Sequence, residues 1–271
     1  MSIEERAEEL DSHGMLEAAF NLPDQMEWAL GRDVYIDPFE VSNIVIAGMG
    51  GSAIGGDIVK ACTASTLEVP LEPWRGFNLP AYVGKGTLLV AVSYSGNTRE
   101  TLSMLEYGIA RGATVVGISS GGRMTDMMED LGLPCIVIPK APAPRAAIGY
   151  LTVPIFRILE TLGLVTISPD LRRAVERLRE VATLYRPDYD NGNLPLEIAT
   201  LLAGKFPVIY APDAYAPAAR RWMTQLNEVS KVLAHWGTIP EIAHNEIVGW
   251  DVGPGGNEHV ILLDGDLSGD L

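Results

Sequence analysis

Residues 88–101 read LLVAVSYSGNTRET, and this stretch decides how the rest of the chain is interpreted. Its first five residues are a continuous apolar run, which is typical of a strand buried on both faces of a parallel sheet. The residues from Ser93 to Thr98 are polar and include one glycine, and the pattern from residue 97 to residue 111 favours a helix. The stretch therefore predicts a strand, a polar loop at its carboxyl end and a helix N-terminus.

Residues 44–56, IVIAGMGGSAIGG, follow the same plan earlier in the chain. An apolar strand ends in glycines that open a helix, which lets the backbone approach a ligand closely. Read as G-x-G-x-x-A (Gly48, Gly50 and Ala53), with Glu68 about 20 residues later, the cluster also fits a dinucleotide-binding fingerprint. A tight turn without any ligand explains the same glycines. This loop taken alone leaves these interpretations open.

Further apolar runs predict the rest of one sheet. Two more buried strands are expected over residues 114–118 and 135–138, with a helix over residues 124–131 between them. Residues 69–74 contain two prolines, which suit an edge strand. Continuous apolar strands that alternate with helices predict a parallel sheet covered on both faces, which is a doubly wound α/β domain.

The pattern weakens after Gly163, and we place a domain boundary after residue 165. The first domain covers residues 1–165 with a leading helical segment, and the second covers residues 166–271. The elements expected after this boundary are a helix over 170–185, a turn-rich linker over 186–194, a helix over 214–235, and strands at 207–210 and 260–263. An independent sheet normally needs three or more strands. We therefore expect the second domain either to dock on the first or to be incomplete at its C-terminus, and the strand count favours the second alternative.

Composition excludes several classes of function. The 271 residues include 20 Lys plus Arg against 35 Asp plus Glu, a formal net charge of -15, and such a surface repels nucleic acid. The most apolar helix candidate, residues 146–164, carries Arg157 and Glu160 and is interpreted as a buried helix, so no membrane partner is expected. Residues 1–10 are acidic and do not form a signal or transit peptide. We expect a cytoplasmic protein.

Three hydroxyl groups surround one glycine in the loop quoted first. Ser93, Ser95 and Thr98 offer hydroxyl donors, and the helix start adds backbone N–H groups and the positive end of the helix dipole. This set can hold one phosphoryl group without a lysine. Helix capping by Ser95 or Asn97 explains one hydroxyl but not three. The loop therefore predicts phosphate binding.

The two loops together, SYSGNTRET (93–101) and GMGGSAIG (48–55), resemble those of the sugar isomerase (SIS) domain, a phosphosugar-binding α/β module. RRWMTQLNEVSK (220–231) and PEIAHNEIVGW (240–250) resemble the archaeal-type bifunctional phosphoglucose/phosphomannose isomerases. The resemblance implies two SIS-type (flavodoxin-like) three-layer αβα domains with parallel sheets, the second of them truncated. It also implies interconversion of glucose 6-phosphate or mannose 6-phosphate with fructose 6-phosphate through an enediol, in a homodimer with a shared active site.

The same resemblance assigns roles to individual residues. Glu228 moves a proton between C1 and C2, His244 from the partner subunit helps to open the ring, and Arg145 stabilises the negative intermediate. Glu228 flanks an apolar stripe of its predicted helix, where we expect it to be partly buried. Without the motifs, Glu228 also fits an exposed helix carboxylate near Lys231, His244 a structural histidine, and Arg145 an arginine on the solvated face of a helix start. The residues expected to bind the sugar and the phosphate are Gly50, Gly51, Ser52, Ser93, Ser95 and Thr98.

No residue of this chain matches the family's C-terminal lysine, which serves ring opening, or the nearby threonine implicated in accepting both epimers. An alternative interpretation is therefore a phosphosugar-binding regulator or pseudoenzyme that lacks turnover. A nucleotide-dependent oxidoreductase is a further alternative that depends on the G-x-G-x-x-A pattern alone. Cys62, Cys135 and four scattered histidines form no metal-binding pattern, so we expect neither a metal nor another cofactor.

Overall fold

The computed structural model describes residues 3–188, 192–253 and 255–265. The chain divides into two compact units, Met1–Asp188 (unit 1) and Tyr189–Leu271 (unit 2). Both units are built from helices and a parallel sheet, as the predicted α/β class requires.

Unit 1 contains one five-stranded sheet in the order β2-β1-β3-β4-β5, with every neighbouring pair parallel. Its described elements, in chain order, are α1 (Ile3–Leu10), α2 (Met15–Phe20), α3 (Leu22–Leu30), β1 (Asn43–Gly48), α4 (Ile54–Thr63), β2 (Leu71–Trp74), β3 (Thr87–Val92), α5 (Arg99–Ala110), β4 (Thr114–Ser119), α6 (Arg123–Asp130), β5 (Cys135–Val137), α7 (Ile148–Thr161) and α8 (Ser168–Leu184). β3 lies in the centre and every one of its residues is buried. The predicted doubly wound domain is confirmed, with β2 as an edge strand.

Buried side chains form a separate cluster on each face of this sheet. Ile46 and Val90 face the layer of α3, α4, α7 and α8, whereas their chain neighbours Val45 and Leu89 face α5 and α6. This alternation follows from the two-residue period of a strand. α7 is buried along most of its length and is the helix expected around residues 146–164. None of the helices described in the two units is long and apolar enough to cross a membrane.

α8 belongs to unit 1 because it packs against α3. Leu171 and Val175 of α8 are buried in the same cluster as α3, and Arg179 forms an ion pair with Asp24 at 3.0 Å. For this reason the two units divide after Asp188, later than the boundary that we predicted after residue 165.

Unit 2 contains a three-stranded parallel sheet in the order β7-β6-β8. Its described elements are α9 (Leu194–Leu202), β6 (Phe206–Pro212), α10 (Ala216–Gln225), β7 (His235–Ile239), α11 (Glu246–Asp251) and β8 (Glu258–Leu262). The prediction of only two strands was wrong, because β7 begins at the end of the stretch assigned to one long helix over 214–235.

The long helix ends early because its last turns change form. α10 stops at Gln225 and a π-helical turn follows over Leu226–Ser230, after which Lys231 adopts the left-handed conformation with a φ of 57°. Ala234 N then donates to Asn227 Oδ1 at 3.1 Å, which holds the reversed chain. β7 is only partly buried, so its short sequence HWGTI gave no alternation to indicate a strand.

Glu160 joins the end of α7 to the start of α8. Its carboxylate accepts hydrogen bonds from the backbone N–H groups of Ile167 (3.1 Å) and Ser168 (3.0 Å), from the Ser168 hydroxyl and from Arg157. Burial acts to raise the pKa of this carboxyl, but the hydrogen bonds outweigh burial and lower the pKa from 4.5 to about 2.

Glu160→Gln should therefore lower the free energy of unfolding at neutral pH and reduce its dependence on acid. Because the folded-state pKa lies below the unfolded value, the wild-type stabilisation is complete above about pH 4.5 and is lost as the pH falls towards about 2. Urea unfolding from about pH 6 to about pH 3 measures this difference. Glu129→Gln, at an exposed position of α6, is the control and should change neither quantity. Equal acid dependence in wild type and Glu160→Gln would contradict the assigned role.

Candidate active site

The strand order brings the two glycine-containing loops side by side. The strand order reverses between the neighbouring parallel strands β1 and β3: β2 is added on one side of β1, and β4 is added on the other side of β3. The connections that follow β1 and β3 therefore leave the sheet in opposite directions. A crevice opens at such a point outside the carboxyl ends of the strands, and ligands of doubly wound proteins bind there. The 3-10 turn Gly50–Ser52 follows β1, and the loop over residues 93–98 follows β3. Both predicted loops therefore border this crevice.

The turn after β1 contacts two other predicted site segments. Ser52 is 6% exposed, and its Oγ accepts a hydrogen bond from Tyr94 N at 3.1 Å. A Cβ added to Gly51 would lie 3.0 Å from Arg145 N, so the absence of a side chain permits this close approach. Gly50 adopts a φ of 51°, which glycine accepts without strain. The structure thus brings Arg145 next to the glycine turn.

The loop after β3 leaves the N-terminus of α5 without a side-chain cap from its own N-cap residue. Thr98 occupies the N-cap position, and its side chain makes no capping hydrogen bond. Asn97 Oδ1 accepts instead from Arg123 N at the start of α6, at 3.1 Å, and Ser95 Oγ accepts from Asn97 N at 3.2 Å. Helix capping therefore does not account for these hydroxyls, and the first turn of α5 offers N–H groups to an anion.

The three hydroxyl groups differ in exposure. Ser93 is fully buried and its Oγ donates to Thr98 Oγ1 at 3.1 Å, whereas Ser95 is exposed and Thr98 is half-buried. Ser93 therefore orients the Thr98 hydroxyl. A direct contact between Ser93 and a ligand stays a prediction.

A third loop supports the loop over residues 93–98, and sequence reasoning missed it. The loop follows β4, where Ser120 Oγ donates to Tyr94 O at 2.6 Å. Gly96 has a φ of 66°, and a Cβ added to it would collide with the carbonyl oxygen of Gly121. The pair Gly121-Gly122 after a buried strand was the available signal, since it repeats the glycines found after β1.

Glu228 lies in unit 2 on the π-helical turn after α10. The expectation that it is partly buried was wrong: its side chain is exposed, because the helix that was to carry it ends at Gln225. Lys231 Nζ donates to the backbone oxygen of Glu228 at 2.6 Å. Burial lowers the pKa of the neighbouring Arg221 guanidinium, and the negative charge of Glu228 opposes this shift. Arg221 is a charged neighbour of the candidate base that sequence reasoning did not single out.

His244 ends the 3-10 turn Glu241–His244 and is exposed. Glu228 precedes the amino end of β7 and His244 follows its carboxyl end, so a strand of roughly 13 Å separates the two segments. Next to His244, Glu246 accepts hydrogen bonds from Tyr210 Oη at 2.7 Å and from His235 Nε2 at 3.1 Å. This contact fixes the chain just after His244.

The dinucleotide interpretation finds no support from Glu68. This residue precedes β2 and therefore lies near the amino ends of the strands, whereas the glycine turn after β1 lies at their carboxyl ends. A ribose at the crevice could not reach it. Among the described residues, no three His, Cys, Asp or Glu side chains lie close enough together to hold a metal ion.

Gly96→Ala should disrupt the loop over residues 93–98, because the added methyl group collides with the loop after β4 in addition to the strain of a positive φ. Gly112→Ala is the matched control, since Gly112 also has a positive φ (75°) but no atom within 4 Å of an added Cβ. Urea unfolding and isothermal titration with inorganic phosphate measure the two effects. We expect about 1 kcal/mol of destabilisation for Gly112→Ala, and a larger loss together with weaker phosphate binding for Gly96→Ala. Equal effects of the two substitutions would contradict this account of the loop.

Comparison with known proteins agrees with this geometry. Residues 191–269 match the family described as "Bacterial phospho-glucose isomerase C-terminal SIS domain". The C-terminal domain of glucosamine-fructose-6-phosphate aminotransferase from Francisella tularensis superposes with a TM-score of 0.67 over 93% of this chain and 75% of that chain. At 17% identity, that likeness shows the fold alone.

Two relatives are similar in sequence over most of this chain. A bifunctional phosphoglucose/phosphomannose isomerase of Caldicellulosiruptor bescii is 35% identical over 242 residues, which cover 87% of this chain and 71% of that protein. One of Thermoplasma acidophilum is 41% identical over 207 residues, which cover 76% of this chain and 61% of that protein. With the three-layer α/β fold and the paired loops at the crevice, these likenesses show that the chain belongs to the family of bifunctional phosphoglucose/phosphomannose isomerases.

Proposed function

We propose that this chain interconverts glucose 6-phosphate or mannose 6-phosphate with fructose 6-phosphate. The observation that supports this most directly is the set of Ser95 and Thr98 hydroxyls at the N-terminus of α5, in the crevice between β1 and β3. An aldose–ketose isomerase needs a fixed grip on the phosphate at C6, because the reacting carbons lie at the other end of the substrate.

The phosphate end of the site uses neutral groups. Ser95 and Thr98 donate to the phosphoryl oxygens, Ser93 orients Thr98, and the first N–H groups of α5 add the positive end of the helix dipole. The turn with Gly50, Gly51 and Ser52 then lines the sugar. This arrangement holds a dianion in a chain with a net charge of -15, because the donors are local and oriented.

The isomerisation moves one proton between two carbons. His244 exchanges a proton with the sugar as its ring opens, and the Glu228 carboxylate then takes the proton from C2 of the open-chain aldose. The electron pair of the broken C2–H bond forms the C1=C2 double bond, and O1 takes up the negative charge. A proton passes from O2 to O1, and Glu228 returns its proton to C1, which leaves a carbonyl at C2. The guanidinium of Arg145 offsets the negative charge of this enediolate.

The proposal includes an assembly and a location. We expect a cytoplasmic homodimer in which the partner subunit supplies His244, and a reaction that needs no cofactor. The competing function is a regulator or pseudoenzyme that binds the phosphosugar without turnover. A coupled assay with both aldose 6-phosphates distinguishes the two, since binding without formation of fructose 6-phosphate would favour the regulator.

Glu228→Gln should retain phosphosugar binding and reduce kcat by about a thousandfold or more, because the amide cannot accept the proton from C2. Glu197→Gln, an exposed residue of α9 in the same unit, is the matched control and should turn over like wild type. Binding is measured by isothermal titration with fructose 6-phosphate, and turnover by the coupled assay. Undiminished turnover in Glu228→Gln would show that another group is the base.

Ser95→Ala combined with Thr98→Ala should weaken the binding of glucose 6-phosphate by about tenfold or more, since two hydroxyl donors to the phosphoryl group are removed. Binding of unphosphorylated glucose should change little. Thr183→Ala is the control, because its hydroxyl donates within α8, to Arg179 O at 3.1 Å. Equal losses for both sugars would contradict a phosphate grip at this loop.

A further inference from the structure

The loop over residues 93–98, which is proposed to bind the phosphate, is called the phosphate loop below. Tyr94 lies between two serines of this loop, and its side chain reaches a different segment. The hydroxyl donates to Ala141 O and accepts from Ala141 N, both at 2.6 Å. One phenolic oxygen therefore holds both polar groups of one peptide residue. The Tyr94 backbone N–H meanwhile donates to Ser52 Oγ at 3.1 Å. A single residue thus connects the phosphate loop, the glycine turn and the segment before Arg145.

The chain between Ala141 and Arg145 is stiff. Pro142 and Pro144 each fix φ near -65°. Ala146 N donates to Ala143 O at 2.9 Å, which closes the turn that carries Arg145. Because few torsions are free between residues 141 and 145, a shift at Ala141 moves the backbone of Arg145 as well.

The other side of Arg145 has its own anchor. Gln25 is 4% exposed; its Nε2 donates to Ala146 O at 2.8 Å and its Oε1 accepts from Gly149 N at 3.1 Å. Arg145 is therefore held between a downstream anchor at Gln25 and an upstream anchor at Tyr94. Only the upstream anchor is attached to the loop that is proposed to bind the phosphate.

We propose that Tyr94 is a positioning residue that sets the distance between the phosphate loop and the Arg145 guanidinium. This inference rests on the proposed function for the role given to Arg145. A hexose 6-phosphate has its phosphate at one end and the developing enediolate at the other. The group that binds the first and the cation that stabilises the second must therefore keep one fixed separation. The Tyr94 hydroxyl provides that connection through Ala141.

Tyr94→Phe tests the proposal, because it removes both hydrogen bonds to Ala141 and keeps the ring and the backbone contact with Ser52. We expect kcat to fall about tenfold, while KM for glucose 6-phosphate and the inhibition constant of inorganic phosphate stay within about twofold. Tyr82→Phe is the matched control: it removes a hydroxyl hydrogen bond to Glu72 on edge strand β2 (2.6 Å) and should leave kcat unchanged. Unchanged kcat in Tyr94→Phe, or an increase in KM alone, would overturn the proposal.

A double-mutant cycle separates positioning from a general loss of structure. If Tyr94 acts through Arg145, Tyr94→Phe should have no further effect on kcat in the Arg145→Ala background. Additive losses would show that Tyr94 acts by another route and would overturn the proposal.

Hydrogen–deuterium exchange tests the anchor without any turnover. The amide hydrogens of the five residues other than proline in 141–147 should exchange faster in Tyr94→Phe than in wild type, with no change in α5. Because this measurement is independent of catalysis, failure of the wild-type chain in the coupled assay would contradict the proposed function alone. Unchanged protection of residues 141–147 in Tyr94→Phe would overturn the positioning role.

Discussion

The candidate site depends on the reversal of the strand order between β1 and β3. If the strand order continued to one side only, the turn Gly50–Ser52 and the loop over residues 93–98 would not border one crevice. The hydrogen bond from Tyr94 N to Ser52 Oγ crosses this point and joins the two loops. The glycines are needed for the same reason, because Gly51 and Gly96 each allow two backbones to approach more closely than any side chain permits.

The proposed phosphate site relies on local groups because the chain is acidic. A net charge of -15 gives no long-range attraction for a phosphate, so the attraction must be local. Backbone N–H groups at a helix start are fixed dipoles that need no reorganisation when the anion arrives. Ser93 is part of this arrangement, because its fully buried hydroxyl orients the hydroxyl of Thr98. In the proposed function, Arg145 adds a cation at the sugar end of the site, where charge develops only during the reaction.

The sequence was sufficient for those parts of the fold that its apolar runs determine. β1, β3 and β4 are apolar segments that are each followed by a helix, and such segments are typical of a parallel sheet buried on both faces. β7 could not be predicted in this way, because it is partly exposed and follows a π-helical turn whose form depends on tertiary contacts. The exposure of Glu228 has the same origin. The residues of the two loops were predictable from their types, but the burial of Ser93 and Ser52 was not.

Two further contacts that sequence reasoning missed are long-range hydrogen bonds of tyrosine hydroxyls. Tyr94 reaches Ala141 across 47 positions and holds the segment that ends at Arg145. In unit 2, Tyr210 reaches Glu246 across 36 positions and holds the chain that follows His244. Burial raises the pKa of Tyr210, and the hydrogen bond to Glu246 raises it further, so this phenol remains a donor throughout the neutral range. A tyrosine suits this task because its rigid ring reaches far and its oxygen can donate and accept at once. In both units, therefore, a tyrosine hydroxyl fixes the segment next to a candidate catalytic residue.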